Sequence, residues 1–315
     1  MEDLSEITDT RCDLVELLKS KQPVKVCAPM VRYSKLAFRT LVRKYGCDLA
    51  YTPMIVSSSF IKSKSCRDVE FITNAKDRPL VVQFAASNAK DFADATELVY
   101  PYCDGVCLNC GCPQRWAMAE GYGAKLLQNP ERLADFVKCA RNRISDPVFA
   151  ISAKIRLHKD IKKTVALCKS LEQSGLSYIS IHGRTTAERY QPVHYDEIKL
   201  IKDLISIPVV ANGDITSMED VSQIHQITGA DGVMAARGIL SNPAMYSGFQ
   251  QTPFDCIKDW VDISLNLGTS FTCFHNHLIY MLEKVTSKPE KRIFNSLQST
   301  PAVLEYLDKF SRIYV

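Results

Sequence analysis

From Lys25 onward the chain alternates short apolar runs with longer segments whose apolar residues recur every three or four positions. Val26-Cys27-Ala28-Pro29-Met30 is the first run, ended by Pro29. Phe38, Leu41, Val42 and Tyr45 then mark one face of a helix, with Ser34 as its expected cap and Gly46 closing it. The unit recurs. Runs at 48–53, 79–85, 105–112, 148–156, 177–181, 208–211 and 230–235 predict seven more strands, and helical periods occupy 87–99, 130–140, 161–173, 195–205 and 218–227. Asn129-Pro130-Glu131 is the clearest helix start, a cap followed by proline and an acid; Ser217 and Asp220 approximate a capping box.

Runs of Val, Ile and Ala without strict alternation suit strands buried on both faces, the condition of a parallel sheet. Eight successive βα units predict an α/β fold, a (β/α)8 TIM barrel, with a doubly wound open sheet as the structural alternative. From Pro253 the alternation stops and helical periods run on through 257–265, 271–285 and 297–306. The expected division is an N-terminal extension (1–22), a barrel (23–250) and a small C-terminal helical domain (251–315).

Composition narrows the setting. A net charge of +4 leans toward anionic partners. No apolar run approaches the ~20 residues of a membrane span, and the acidic stretch from Met1 to Arg11 resembles neither a secretory signal nor a transit peptide. The twelve cysteines are therefore expected as reduced thiols in the cytosol or nucleus, most of them, such as Cys168, small core residues.

In a TIM barrel the working residues stand at the carboxyl ends of the strands. The fourth run ends in Asn109-Cys110-Gly111-Cys112-Pro113, where Gly111 and Pro113 must break the strand and Cys112 is left on the turn as a candidate catalytic thiol. Asn109 adds an amide that donates and accepts. Asn212-Gly213-Asp214 follows the seventh strand and Ala236-Arg237-Gly238 the eighth, with a helix expected near Asn242-Pro243; together they predict a site for a phosphate-bearing cofactor. Lys154, inside an apolar strand, either snorkels out or faces the electron-rich side of a bound group. Gln83 in a core strand either reads a ring or bonds a neighbouring loop. His182 either is structural or faces the mouth, and Arg184 and Arg189 either flank a loop over it or are surface arginines. Cys103, Cys107 and Cys110 have a spacing that iron–sulfur clusters also use, but they would be spread along a strand rather than gathered, so neither a cluster nor another metal site is expected.

With these motifs in this order, plus Ala28-Pro29-Met30, Lys154-Ile155-Arg156 and His182-Gly183-Arg184-Thr185, the chain resembles the tRNA-dihydrouridine synthases, most closely the eukaryotic branch acting on D-loop positions 20a and 20b. The resemblance implies an FMN-containing barrel and a helical domain that grips tRNA. Ala28, Pro29 and Met30 would line the flavin, Gln83 and Lys154 would bond its ring, and His182 would lie beside it. Asn212, Gly213, Asp214, Ala236 and Arg237 would hold its phosphate end. NADPH, with NADH as the alternative, would supply reducing equivalents. Cys112 would protonate C5 of a flipped-out uridine, with Asn109 and Arg184 binding the substrate. A monomer is expected. Two positions depart from the family pattern: Ala236 stands where glycine is usual, and Phe274-His275-Asn276-His277-Leu278 matches the family's basic-His segment only loosely. Lys284, Lys288, Lys291 and Arg292 could face phosphates. A tRNA-binding barrel without turnover and an FMN reductase of a small pyrimidine or carbonyl are the competing readings.

Overall fold

The computed structural model describes residues 11–20 and 22–314. Eight parallel strands close on themselves: β1 (Val24–Cys27), β2 (Leu49–Tyr51), β3 (Leu80–Ala85), β4 (Gly105–Cys110), β5 (Ala150–Leu157), β6 (Tyr178–Thr185), β7 (Val209–Asn212) and β8 (Gly232–Ala235). Strand β1 pairs on one side with β2 (Val26 opposite Leu49) and on the other with β8 (Val24 opposite Gly232). That closure excludes the open sheet. A two-residue strand, Ile55–Val56, extends the edge of β3.

Both faces of each strand are apolar because each meets a different core. Val26, Leu49, Tyr51, Val81, Tyr178 and Met234 fill the barrel interior, while Val82, Phe84, Ile151, Ile155, Ile179 and Ile181 meet the helices outside. A short helix, α1 (Leu14–Leu18), capped by Asp13, adds Leu14 and Leu18 to the interior set. The acidic segment before Arg11 lies outside the described residues.

The crossovers are α2 (Leu36–Lys44), α3 (Ser57–Lys62) with α4 (Lys64–Glu70), α5 (Ala89–Val99), α6 (Arg115–Ala119) with α7 (Pro130–Arg143), α8 (Ile161–Gln173), α9 (Tyr195–Leu204) and α10 (Met218–Thr228). Asn129 caps α7 as expected, accepting from Arg132 N at 3.0 Å. Two other starts differ. Ser34 Oγ instead accepts from Met30 N at 2.9 Å, closing the turn after β1 and leaving Lys35 at the helix cap. Ser217 accepts from Asp220 N, but the Asp220 carboxylate turns back to Thr216, so half of the capping box forms. Strand β6 runs past Ile181 to Thr185, because Arg156 and Leu157 of β5 continue to pair with His182 and Thr185 across a register shift.

After β8, α11 (Arg237–Ser241) begins at once, earlier than the Asn242-Pro243 start read from the sequence; Asn242 is its C-cap. Helix α12 (Phe254–Asn266) lies on α2: Tyr45 Oη donates to Asp259 at 2.7 Å, and Trp260 meets Phe38 edge-on. Helix α12, which follows the expected division at residue 250, thus packs directly on the barrel helix α2. Beyond it lie α13 (Phe271–Leu282), α14 (Lys288–Asn295) and α15 (Thr300–Tyr314). His277 stacks on Phe38 with ring centroids 4.5 Å apart and its Nε2 bonds Tyr33 O at 3.1 Å. His275 Nε2 bonds Phe294 O. Both rings are buried, so this segment ties α13 into the fold rather than presenting histidines to solvent. Among the described residues no helix is long and apolar enough to cross a membrane.

Candidate active site

The carboxyl ends of β1, β5, β6, β7 and β8 enclose a cavity of about 640 Å³. Its wall includes Ala28, Pro29, Lys154, His182, Arg184, Asn212, Gly213, Asp214, Ala236 and Arg237, all expected from the sequence. Six cations line it (Lys154, Arg156, Arg184, Arg189, Arg237 and Lys284) against one carboxylate, Asp214.

Lys154 Nζ donates to Asn212 Oδ1 at 2.9 Å, and Asn212 Nδ2 donates to Met234 O. The lysine therefore crosses β6 to reach β7, and its partner is neutral. Burial, with Arg156 adding repulsion, lowers its ammonium to about 8. Beside it, His182 is pushed down to about 2 by burial and then by Lys154, Arg156, Arg184 and Arg237, so it is a neutral imidazole at any working pH.

Two expected ligands in this wall bond each other. Arg184 is buried; both of its terminal nitrogens donate to Asp214 and its Nε donates to Gln191 O at 2.6 Å. Continuation of β6 carries it inward, where it braces the loop from the cavity wall. Asp214 accepts from Arg184 and from Arg237 Nη2 at 3.0 Å, so its carboxylate holds two cations in place. Both pairings keep the carboxyl below its ordinary range.

The loops after β6, β7 and β8 meet closely. Gly213 has φ of 140°, and a Cβ there would stand 2.8 Å from Val193. A Cβ on Gly238 would collide with the Ile215 carbonyl. Ala236 has φ of −119°, outside the left-handed region that would require the usual glycine.

Gln83, Asn109 and Cys112 form a second group at the ends of β3 and β4. Asn109 Nδ2 donates to Gln83 Oε1 at 2.8 Å, and Asn109 Oδ1 accepts from Gly111 N (3.3 Å) and Cys112 N (3.0 Å). Gln83 Nε2 reaches Cys107 Sγ at 3.5 Å. Asn109, expected as a substrate ligand, is thus spent mainly on the turn that carries Cys112. That thiol is partly exposed, packing near Ala85, Ala117 and Tyr122. Asn109 is paired with Lys154 across the β4–β5 ladder, and a Cβ on Gly111 would lie 3.5 Å from Lys154 O, so the two groups abut. Met30 packs between the barrel interior and the helix layer instead of lining the cavity. Cys107 faces the interior, Cys103 and Cys110 the helices; among the described residues no three or more His, Cys, Asp or Glu converge.

Arg156, Tyr190, Ile215, Thr216 and Ser241 also line the wall and received no site role from the sequence, and Lys284 was expected only among cations that could face phosphates. Arg156 stands two positions after Lys154, hence on the same strand face, a signal the period of two could have supplied. Tyr190 and Lys284 reach the mouth only through the tertiary fold.

A closed parallel barrel with a cation-lined cavity at its carboxyl end and a thiol beside it defines an α/β-barrel enzyme built to hold an anionic group. The profile described as Dihydrouridine synthase (Dus) matches residues 26–306, and the chain belongs to that family. It is 60% identical over 295 residues to a human protein named tRNA-dihydrouridine(20a/20b) synthase NAD(P)+-like, covering 94% of this chain and 93% of that one. It is 40% identical over 297 residues to the Schizosaccharomyces pombe tRNA-dihydrouridine(20a/20b) synthase, covering 94% and 90%. Histamine dehydrogenase from Rhizobium sp. 4-9 shares the barrel fold at 12% identity, with a TM-score of 0.52 over 76% of this chain and 49% of that one.

Proposed function

We propose that this protein is an FMN-dependent tRNA-dihydrouridine synthase that reduces the C5–C6 double bond of D-loop uridines at positions 20a and 20b. The observation that carries the reading is the positive charge of Lys154, answered only by a neutral amide, in a cavity bordering the turn of Cys112. An uncompensated ammonium at a partly buried position favours a bound anion. The donor set fits FMN: Arg237, with the backbone of Gly213 and Ala236, at the phosphate end, and Lys154, Asn212 and neutral His182 along the ring edge. When bound, FMN would supply a hydride for C6, with NADPH or NADH as the source of reducing equivalents.

The chain's own residues do the rest. Lys154, held by Asn212, would donate to the electron-rich ring edge. His182 offers one donor and one acceptor without adding charge. The Asn109–Gln83 pair fixes the backbone of the Cys112 turn, and the thiol delivers a proton to C5 as general acid. An unpaired loop uridine is a sensible target, because extruding a base already outside a duplex costs least. Lys284 at the mouth, with Lys288, Lys291 and Arg292 beyond it, supplies cations for the tRNA backbone. We place the enzyme in the cytosol or nucleus as a monomer; its twelve unpaired thiols suit a reducing compartment.

The test is mass-spectrometric mapping of dihydrouridine in unmodified tRNA incubated with the purified protein and NADPH. A yellow protein bleached by NADPH that forms dihydrouridine at 20a and 20b supports the reading. A protein that binds tRNA but no flavin leaves only a binding barrel. Flavin bleaching with turnover confined to free pyrimidines or carbonyls moves the assignment to a small-molecule reductase.

A further inference from the structure

Helix α6 begins three residues after Cys112 and carries an exposed indole. Trp116 is 45% exposed, whereas the chain's other tryptophan, Trp260, is fully buried with its Nε1 donating to Phe274 O. A solitary exposed apolar side chain is unremarkable in itself. Trp116, however, is held in one orientation. Its Nε1 donates to Gln114 Oε1 at 2.5 Å, and its ring meets Tyr122 edge-on with centroids 6.5 Å apart.

The same Tyr122 belongs to the small cluster against which Cys112 packs, together with Ala117, the neighbour of Trp116. Ala124 N also donates to Cys112 O at 3.0 Å, which locks the 122–124 segment to the catalytic turn. Trp116 and Cys112 therefore both border Tyr122, the indole open to solvent and the thiol partly buried on the turn beside the cavity. Exposed Arg115 and Lys125 stand on the same excursion without an ion-pair partner among the described residues; Glu120 is the one acid beside them.

A fixed aromatic face with cations next to it is the arrangement that holds unpaired nucleotides, the ring stacking a base and the cations meeting the backbone. We propose that Trp116 is a stacking platform for the nucleobase adjoining the uridine that enters the mouth. Resting on the RNA-substrate reading above, it makes α6 a determinant of which of two neighbouring uridines is reduced. A base parked on Trp116 sets the register of the strand relative to Cys112.

The holoprotein is titrated with unmodified tRNA while tryptophan emission is followed, and steady-state kinetics are compared among the wild type, Trp116→Phe and Trp116→Ala. Because Trp260 is buried, tRNA is expected to quench the exposed component of emission, and Trp116→Ala to remove that response. Trp116→Ala should raise KM for tRNA about tenfold, equivalent to ~1.4 kcal/mol, within the ~1–3 kcal/mol of base–aromatic stacking. The loss should appear in KM rather than kcat, change the ratio of product at 20a to product at 20b, and be largely recovered by Trp116→Phe. Unquenched emission on tRNA binding, with KM and the position ratio unchanged in Trp116→Ala, overturns the proposal. If the wild type forms no dihydrouridine in any tRNA, the enzyme assignment fails instead, and the quenching titration still decides whether Trp116 meets RNA.

Discussion

Lys154 and Asn212 join β5 to β7 over the intervening strand through a 2.9 Å hydrogen bond from an ammonium to a neutral carbonyl. The bond satisfies a donor but leaves the charge uncompensated, so the end of the barrel is poised for an anion at some expense in stability.

Lys154→Met should therefore separate stability from function. The ammonium is held near 8 in the folded chain and near its ordinary value of about 10.4 when unfolded, so the unfolded state binds more protons between these values and stability rises with pH across that window. At pH 7 flavin-free Lys154→Met is expected to be more stable than the wild type by about 1–3 kcal/mol, the gap closing toward pH 10, while its flavin retention falls. Urea unfolding at several pH values reads the first effect and absorbance of the purified variant the second. A variant less stable at pH 7 that keeps its flavin would contradict the assignment.

Cys112→Ala should purify yellow yet form dihydrouridine at least ~100-fold more slowly, the lower range for loss of a positioned general acid. Single-turnover assays with pre-reduced protein isolate this step. Undiminished product formation removes Cys112 from the chemistry.

Asn109 acts on that thiol through the backbone. Asn109→Leu deprives Gly111 N and Cys112 N of their acceptor and Gln83 Oε1 of its donor. The expected result is a loss in kcat of about tenfold or more, with flavin still bound. A change in KM for tRNA alone would instead restore Asn109 as a direct substrate ligand.

Asp214 is the brace on which the phosphate end depends. Asp214→Ala leaves buried Arg184 without its carboxylate and frees Arg237. Because Asp214 is partly exposed, the loss should fall below the ~3–5 kcal/mol of a fully buried pair. A drop of several degrees in Tm, together with weakened flavin binding, is expected. Unchanged flavin affinity would show that Arg237 needs no support.

Gly238→Ala tests the seam between the last two loops. A Cβ would strike the Ile215 carbonyl and lie 2.8 Å from Thr216 Cα, both backbone atoms that cannot swing aside. Poor expression or loss of flavin is the expected outcome; a fully active, yellow Gly238→Ala protein would mean that the loops separate more easily than their packing implies.

Much of this was legible before any coordinates. Strands buried on both faces announce themselves by apolar runs, since every position meets one core or another, and this is why the barrel and its eight strands could be placed from residue order, although β6 continues past its apolar run to Thr185. The Asn129-Pro130 start was equally readable, because a cap and a first-turn proline act within a few residues. Ser34 was not: its hydroxyl had two possible backbone partners, and the turn after β1 brought Met30 N closer than the helix start.

Residue types at strand ends, with Cys112 after a forced break and Lys154 in an apolar run, were fixed by composition and spacing alone. Which of them remain free to act was decided by the closed fold. Arg184 and Asp214 neutralise each other because β6 and β7 bring them within bonding distance, and Asn109 is occupied because its two neighbours, Gln83 and the Cys112 turn, converge on it. Lys284, from the segment after α13, joins the same wall. A polar side chain can be recognised from its place in the chain, but its hydrogen bonds are shared out by distance, and those distances exist only once remote segments have packed together.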